Sequence, residues 1–376
     1  MSLYTINKLT MAKKSNYKRL GEYIRQVDVR NRDLAVDNLL GLSNTKVFIP
    51  SIANTIGTDF SNYKIVYPRQ FAYVPITSRN GDKITVALYS GEKPCIVSQA
   101  YIVFEVIDYN KLLPEYLMMW FSRLEFDRYS RFKSHGSARE AFDWNEMCEV
   151  TLPIPPIEEQ RKIVAEYQAV ARRIDNNRLL IATLEATAQS IYRHYFVDDI
   201  DPENLPNGWC VGQVGDVMKI SSGKSLSDKC EEQTSLCMIP VAGASGIIGY
   251  TRDANQFEPF LTTGRVGTLG IVNKYFTPTW TADNVLVAKS KNFEFAYQTL
   301  NEVNYAEITG GGVQSLITQT SLSAYPKIIP PANLIQHFES SVKSLFGLQS
   351  LIHKEILILS NLLTILLTKL SNEIIN

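Results

Sequence analysis

"LPIPPIEEQRKIVAEYQAVARRIDNNRLLIATLEATAQSIYRHYF" occupies residues 152–196, and "KIIPPANLIQHFESSVKSLFGLQSLIHKEILILSNLLTILLTKLS" occupies residues 327–371. Each opens on a proline pair, Pro155-Pro156 and Pro330-Pro331, which stops any earlier helix and sets where the next begins. In the first stretch Ile163, Tyr167, Val170, Ile174, Asn177, Ile181, Leu184, Ala188, Ile191 and Tyr195 follow in alternating steps of four and three, the seam of a coiled-coil helix. Adding 175 to each position gives Phe338, Val342, Leu345, Gln349, Ile352, Ile356, Leu359, Leu363, Leu366 and Leu370. Each seam holds one polar residue, Asn177 and Gln349, of the kind that pins coiled-coil register. At about 1.5 Å per residue each helix spans roughly 50 Å. With globular sequence between them, the two helices are expected to pair antiparallel, with one folded domain at each end of the rod. The alternative, two amphipathic helices each lying on its own domain, calls for shorter and wider apolar stripes than these.

The 376-residue chain is long enough for at least two domains, and 45% apolar with 20% charged residues is ordinary globular composition. Net charge is zero, so any binding of a polyanion must come from local patches. Residues 1–157 carry 20 Lys/Arg against 16 Asp/Glu, whereas residues 198–330 carry 9 against 14, which favours phosphate contact in the first part. The five cysteines, Cys95, Cys148, Cys210, Cys230 and Cys237, contain no C-x-x-C pair, and none of the four histidines stands at ligand spacing from them. This pattern argues against zinc and for free thiols in a reducing cytoplasm. No charged n-region precedes an apolar h-region, so no signal peptide and a cytoplasmic location are expected. The C-terminal helix is the one segment resembling a membrane span, but Lys354, Glu355 and Lys369 interrupt it and the heptad explains its apolar positions.

Before the first helix, residues 63–76, 83–89 and 100–107 are rich in β-branched and aromatic residues, and Asn80-Gly81 signals a hairpin between the first two. Pro114 is placed to open a helix over residues 114–132 whose buried face is Tyr116, Trp120, Phe121 and Leu124. Residues 205–330 return to β-rich texture with many turns. The order is domain, helix, domain, helix, an internal duplication of about 175 residues. "RLGEYI" (19–24) matches "QVGDVM" (213–218), and "HGSAREAFDWNEM" (135–147) occupies the place of "GGGVQSLITQTSL" (310–322).

Motifs for catalysis are weak. "SSGKS" (221–225) ends like a P-loop, but the position that requires the first glycine holds Met218. "GASGIIG" (243–249) is not framed by a βαβ unit. Neither a nucleophile–base grouping nor a nuclease-like carboxylate and lysine cluster stands out. Signals for polyanion contact are better. Arg128, Arg131, Lys133 and Arg139 fall in a window without acidic residues that leaves a helix and enters a Gly/Ser loop. Ser78, Arg79 and Asn80 sit at a hairpin tip, Arg and Asn being guanine- and adenine-reading types. Lys224 follows Gly223, Arg265 lies in the Gly-rich "TTGRVGTLG" (262–270), and Gln314 lies in "TGGGVQS" (309–315), a loop able to cradle phosphate. Plain turns and a solvated helix end are the alternatives for these stretches.

Together "LPIPPIEEQRKIVAEY", "LEATAQSIYRHYF", "GSAREAFDWNEM" and the repeated "IIPP" helix make the chain resemble the specificity (S) subunit of Type I restriction-modification systems. "SNYKIVYPRQFAYVPITSRNGDKI" and "TTGRVGTLGIV…TADNVLV" look like target-recognition-domain sequence, so the likeness extends over nearly the whole chain from about residue 18. The resemblance implies an α/β (α+β) fold with two mixed, β-rich recognition domains, residues 18–152 and 198–328. Two spacer helices, 153–197 and 329–376, form an antiparallel coiled coil, with 1–17 as an N-terminal extension. It further implies a non-catalytic subunit that reads a bipartite target in double-stranded DNA. The helices set the spacer and dock methyltransferase (M) subunits, two of them, which recruit restriction (R) subunits. S-adenosylmethionine, ATP and magnesium then belong to those partners, and this chain carries no cofactor or metal and meets no membrane. The second helix departs from the pattern, with "ANLIQ" in place of "EEQ". In the acidic second domain the basic residues Lys219, Lys224, Lys229, Arg252, Arg265 and Lys274 are expected to gather on the DNA side. Two other readings stay open here: a stand-alone restriction or modification enzyme, and a coiled-coil scaffold without DNA binding.

Overall fold

The structure, a computed structural model, describes residues 17–51, 57–77, 83–134, 140–267, 269–309 and 316–370. The strands and helices before the first long helix are β1 (Tyr17–Arg19), β2 (Ile24–Val27), β3 (Leu40–Leu42), β4 (Phe48–Pro50), β5 (Lys64–Val66), β6 (Phe71–Tyr73), β7 (Val86–Leu88), β8 (Cys95–Val97), β9 (Ile102–Val106), α1 (Pro114–Phe121), α2 (Leu124–Lys133), α3 (Trp144–Glu149) and β10 (Thr151–Pro153). The first long helix is α4 (Ile157–Phe196). There follow β11 (Cys210–Gln213), α5 (Val214–Val217), β12 (Lys219–Ser222), β13 (Ile239–Gly243), β14 (Gly246–Thr251), β15 (Phe260–Gly264), β16 (Val272–Tyr275), β17 (Trp280–Thr281), β18 (Val285–Lys289), α6 (Phe293–Asn301), α7 (Gln319–Ser323) and β19 (Pro326–Ile329). The second long helix is α8 (Ala332–Lys369). The chain forms two compact units: the part up to Asn176 with the part from Glu355 onward, and Asn177–Lys354. Each long helix thus gives one half to each unit.

The duplication read from the sequence is visible in the topology. One unit contains an antiparallel sheet in the order β2-β9-β6-β7 and the other an antiparallel sheet in the order β12-β18-β15-β16. In each, a strand before the sheet pairs with the strand that leads into a long helix, β1 with β10 and β11 with β19. Smaller pairs, β3·β4 and β5·β8, accompany the first sheet, and the three strands β14-β13-β17 accompany the second.

In the first unit the core is aromatic. Phe71 and Phe104 stack at 4.8 Å and Phe121 meets Phe71 edge-on at 5.8 Å. The expected single helix over 114–132 is two helices. At the break Ser122 Oγ donates to the Met118 carbonyl at 2.8 Å, and buried Arg123 lays its guanidinium on Trp120 at 4.2 Å. Such side-chain competition and a residue that must turn inward end the first helix. Tyr116, Trp120 and Phe121 are buried as expected, but Leu124, beyond the break, is 58% exposed. The strands flanking Asn80-Gly81 do pair, Phe71 with Leu88 and Tyr73 with Val86, while Asn80 and Gly81 lie outside the described residues.

The glutamine of "EEQ" explains the start of α4. Gln160 is fully buried; its amide nitrogen donates to the Lys111 and Pro155 carbonyls at 2.9 and 2.8 Å, and its oxygen accepts from the Leu113 N–H at 2.9 Å. The position 175 residues on is Ile335, buried instead in an apolar cluster with Phe338. One copy begins its helix on a hydrogen-bonded clamp and the other on packing, the physical content of the "ANLIQ" departure.

Within each unit the helix halves run antiparallel. In the first, Ile163 and Tyr167 share a core with Leu367 and Leu370, and Arg173 Nε donates to Glu355 Oε1 at 2.8 Å. In the second, Tyr192 meets Phe338 at 5.7 Å and Tyr195 meets His337 at 5.8 Å, while Glu185 lines one cavity with Phe346, Gln349 and His353. All twenty seam positions are buried or half-buried. Asn177 and Gln349 are 2% and 5% exposed, and Asn177 Nδ2 and Gln349 Nε2 lack a hydrogen-bond partner among the described residues. By length and composition α8 is the one helix among the described residues suited to cross a membrane.

Two readings of the second half are corrected. Cys230 and Cys237 are joined in a disulfide rather than standing as free thiols; Cys95, Cys148 and Cys210 are free. Cys230 is bridged to Tyr250 on β14, and within the 230–237 turn the Thr234 N–H donates to the Cys237 carbonyl while the Cys237 N–H donates to Thr234 Oγ1, each at 3.1 Å. The stretch read as β-rich also holds α6, whose Phe295, Ala296 and Leu300 are fully buried.

Lys327 lies in the second unit, where its repeat position in the first is Leu152. Its ammonium donates to the Tyr192 hydroxyl at 2.7 Å, and burial pushes its pKa down to about 8, with the Glu302 charge opposing. Below pH 8 both folded and unfolded chains carry this proton, so the cost of a buried charge is fully present. Between pH 8 and the ordinary lysine range the unfolded chain binds more protons, and stability rises with pH. Lys327→Leu should therefore raise unfolding stability at pH 7 by about 1–2 kcal/mol. Thermal melts from pH 7 to 10 should show that advantage shrinking; a constant or negative difference would refute the assignment.

Candidate nucleic-acid interface

Strand order decides which loops meet. In the second unit Ser222, the last residue of β12, lies across from Leu286, and Gly264, the last of β15, lies across from Val285. The loops after β12 and β15 and before β18 therefore converge at one sheet end, which brings Lys224 and Arg265 to the same edge. Gly223 makes the path possible: a Cβ there would stand 1.9 Å from the Ala282 carbonyl oxygen. The Gly223 and Lys224 N–H groups donate to Val285 and Thr281 carbonyls at 3.1 and 2.8 Å, and Trp280 Nε1 donates to the Lys224 carbonyl at 3.1 Å. The backbone is held while the Lys224 side chain stays exposed. Asn255 braces the same segment, accepting from Thr281 N at 2.8 Å.

The other basic residues of this unit do not join them. Lys219 sits at the far end of β12, across from Lys289. Lys229 donates to the Ile248 carbonyl at 3.2 Å, and Arg252 is exposed just after β14. Lys274 is half-buried: its ammonium is 2.8 Å from Glu294 Oε2 and lies 3.8 and 3.6 Å from the ring centres of Tyr297 and Phe346. Burial lowers its pKa, with Glu294 opposing. The expected gathering of six cations on one side is corrected to the pair Lys224 and Arg265, with Lys274 serving instead to tie β16 to α6 and α8.

In the first unit β2 and β6 end, and β7 and β9 begin, at a common sheet end, since Val27 pairs with Val103 and Tyr73 with both Ile102 and Val86. The loop carrying Ser78, Arg79 and Asn80 connects β6 to β7, but these three residues lie outside the described residues. A group missed by sequence reading stands beside this end. Arg30 Nη1 donates to the Asn62 carbonyl and Arg32 Nη1 to Asn62 Oδ1, each at 2.8 Å, and Lys64 Nζ is 3.6 Å from Asp28. The "VRNR" run was a possible signal, but only β-pairing brings Lys64 to it. Burial lowers the Lys64 pKa, with Asp28 opposing.

The window at 128–139 is less basic in space than in sequence. Arg131 pairs with Glu140, and Lys133 Nζ is 3.3 Å from Glu146 Oε2, so acids beyond the window offset two of its four cations. Arg128 is exposed on α2. Arg139 and Gln314 lie outside the described residues. Among the described residues no three His, Cys, Asp or Glu side chains gather as a metal site.

Two repeats of one mixed α and β unit, each with cationic loops at a sheet end and each packed on halves of two long helices, define a duplicated recognition protein. Residues 5–186 and 206–374 match the family described as Type I restriction modification DNA specificity domain, and the chain belongs to that family. Over 137 residues it is 26% identical to the Type I restriction enzyme MjaIX specificity subunit of Methanocaldococcus jannaschii. That match covers 33% of this chain and 32% of the relative, so the aligned part spans about a third of the curated protein. The fold resembles the crystal structure of the Type I restriction-modification S subunit from M. genitalium, with a TM-score of 0.52, 14% identity, and 94% and 95% of the two chains covered. Family membership favours DNA specificity over both the stand-alone enzyme and the scaffold without DNA binding.

Proposed function

We propose that this chain is the DNA-specificity subunit of a Type I restriction-modification complex and acts by binding rather than by catalysis. The observation that carries this reading is the repeated sheet, its loops converging at one end in each copy, built onto paired helix halves. Residues 18–152 and 198–328 are the recognition domains, 153–197 and 329–376 the spacer helices, and 1–17 an extension. Each domain reads one half of a bipartite sequence in double-stranded DNA. Arg128 on α2 and Lys224 in the loop after β12 contact phosphates and fix position, while Arg, Asn, Gln and Ser side chains, Arg79, Asn80, Arg265 and Gln314 among them, read base edges. Buried Asn177 and Gln349 hold the helix register.

The helices dock two methyltransferase subunits, through which restriction subunits join. Exposed aliphatic side chains on α8 support a docking face: Leu357, Ile358, Leu362 and Ile365 are 64%, 67%, 39% and 51% exposed. S-adenosylmethionine, ATP and magnesium act in those partners, in the cytoplasm, and the methyltransferase flips the target adenine into its own pocket.

Co-expression with a methyltransferase subunit, followed by sequencing-based mapping of methylated adenines, tests the reading. A single split motif is expected. Exchanging residues 18–152 for the corresponding domain of another specificity subunit should then replace one half of that motif and leave the other half intact. Loss of both halves, or an unmethylated genome despite a stable complex, would count against the proposal.

A further inference from the structure

One cross-strand pair at the sheet end of the second unit is left chemically open. Gly264 is paired with Val285, and the Arg265 N–H donates to the Asn284 carbonyl at 2.9 Å. Arg265 and Asn284 are therefore the next pair in register, and their side chains leave the ladder on one face, beside Thr263 and Leu286. Arg265 Nε and Asn284 Oδ1 are both buried, and neither has a hydrogen-bond partner among the described residues.

An open donor and an open acceptor on directly opposed residues are costly, because each loses water without gaining a partner. They stand at the edge where Lys224 is exposed and where Gly223 lets the backbone pass closely. Bonds between Leu316–Ile317 and Val266–Arg265 hold the Arg265 backbone in place: Val266 is bridged to Leu316, and the Ile317 N–H donates to the Arg265 carbonyl at 3.0 Å. A fixed backbone whose Arg265 Nε and Asn284 Oδ1 are unpartnered suits a ligand that supplies a matched acceptor and donor.

Resting on the reading of this chain as a DNA-specificity subunit, we propose that Arg265 and Asn284 are the base-reading pair of the second recognition domain. Arg265 donates to O6 and N7 of a guanine. Asn284 accepts from N6–H and donates to N7 of an adenine. These are the hydrogen-bond patterns that arginine and asparagine match in the major groove. Lys224, on the same edge, holds the neighbouring phosphate. The two purines lie in the half-site read by residues 198–328.

The test maps methylated adenines for the complex assembled with wild-type chain, Arg265→Ala, Asn284→Ala and Asn284→Asp, with thermal melts to establish folding. Asn284→Asp keeps the size and one acceptor but loses the donor to N7. Each variant should relax one position of one half-site, with discrimination falling on the order of 10- to 100-fold. The other half-site and the spacer should not change. Folded variants that methylate the unaltered motif overturn the assignment. So does an even loss across all sequences with a changed salt dependence, which marks a phosphate contact. A wild-type complex that yields no split motif refutes the functional reading itself; a split motif unaltered by the variants refutes only this pair.

Discussion

Deleting residues 175–181 together with 349–355 should move the two half-sites closer by about 3 base pairs without changing a base of either. Seven residues of helix contribute about 10 Å, and B-form DNA rises about 3.4 Å per base pair. Seven residues preserve the heptad phase, so the seam closes again on both sides of the cut. The two segments face each other because Tyr192 meets Phe338 and the helices run in opposite directions from there. Both buried amides, Asn177 and Gln349, leave together, so neither is left against an apolar partner. Three base pairs also turn one half-site by roughly 100° about the duplex, given about 10.5 base pairs per turn. Methylation should therefore be slower as well as relocated. Adenine mapping reads both effects, and an unchanged spacer in a folded deletion variant would sink the ruler.

Phe338→Ala should be among the most damaging single substitutions for stability. Its ring is fully buried between Tyr192 at 5.7 Å, Phe196 at 5.5 Å and Phe295 at 6.5 Å. These three come from α4 and α6, so one ring joins both long helices to the second sheet's helix. Removing a buried phenyl group costs about 3–5 kcal/mol, from lost transfer energy and the cavity left behind. In a unit of this size the melting temperature should fall on the order of 10 °C. Leu348→Ala, on a half-exposed residue of the same helix, should change stability by less than about 0.5 kcal/mol. Equal effects of the two in thermal unfolding would show that the aromatic cluster does not hold the helix ends.

The parts of the fold that were legible rest on local, periodic signals. Pro155-Pro156 and Pro330-Pro331 act on their own backbone, and the four-three spacing of twenty seam residues repeats at one offset. Both helices begin where the prolines put them, and no seam position is exposed. The match of "RLGEYI" with "QVGDVM" held because each follows a strand paired to the one before a long helix. Where one residue must choose between extending a helix and packing inward, periodicity failed: the helix over 114–132 breaks at Arg123, which packs on Trp120. In α6 the apolar spacing was hidden among strands and turns.

Charge and chemistry were less legible, because they depend on what faces what. The sequence by itself determined the duplication, the two long helices, the seam with Asn177 and Gln349, and enough of the family pattern to place the chain. These follow from interactions within a few residues of each position, which the order of amino acids states directly. Only the tertiary structure decided that Lys274 is caged by Glu294, Tyr297 and Phe346, that Arg131 and Lys133 are met by Glu140 and Glu146, and that Cys230 meets Cys237. It alone brought Lys224, Arg265 and Asn284 to one sheet end. Strand order sets those encounters, and strand order is fixed by contacts between segments tens of residues apart, whose electrostatic and hydrogen-bonding consequences no local pattern contains.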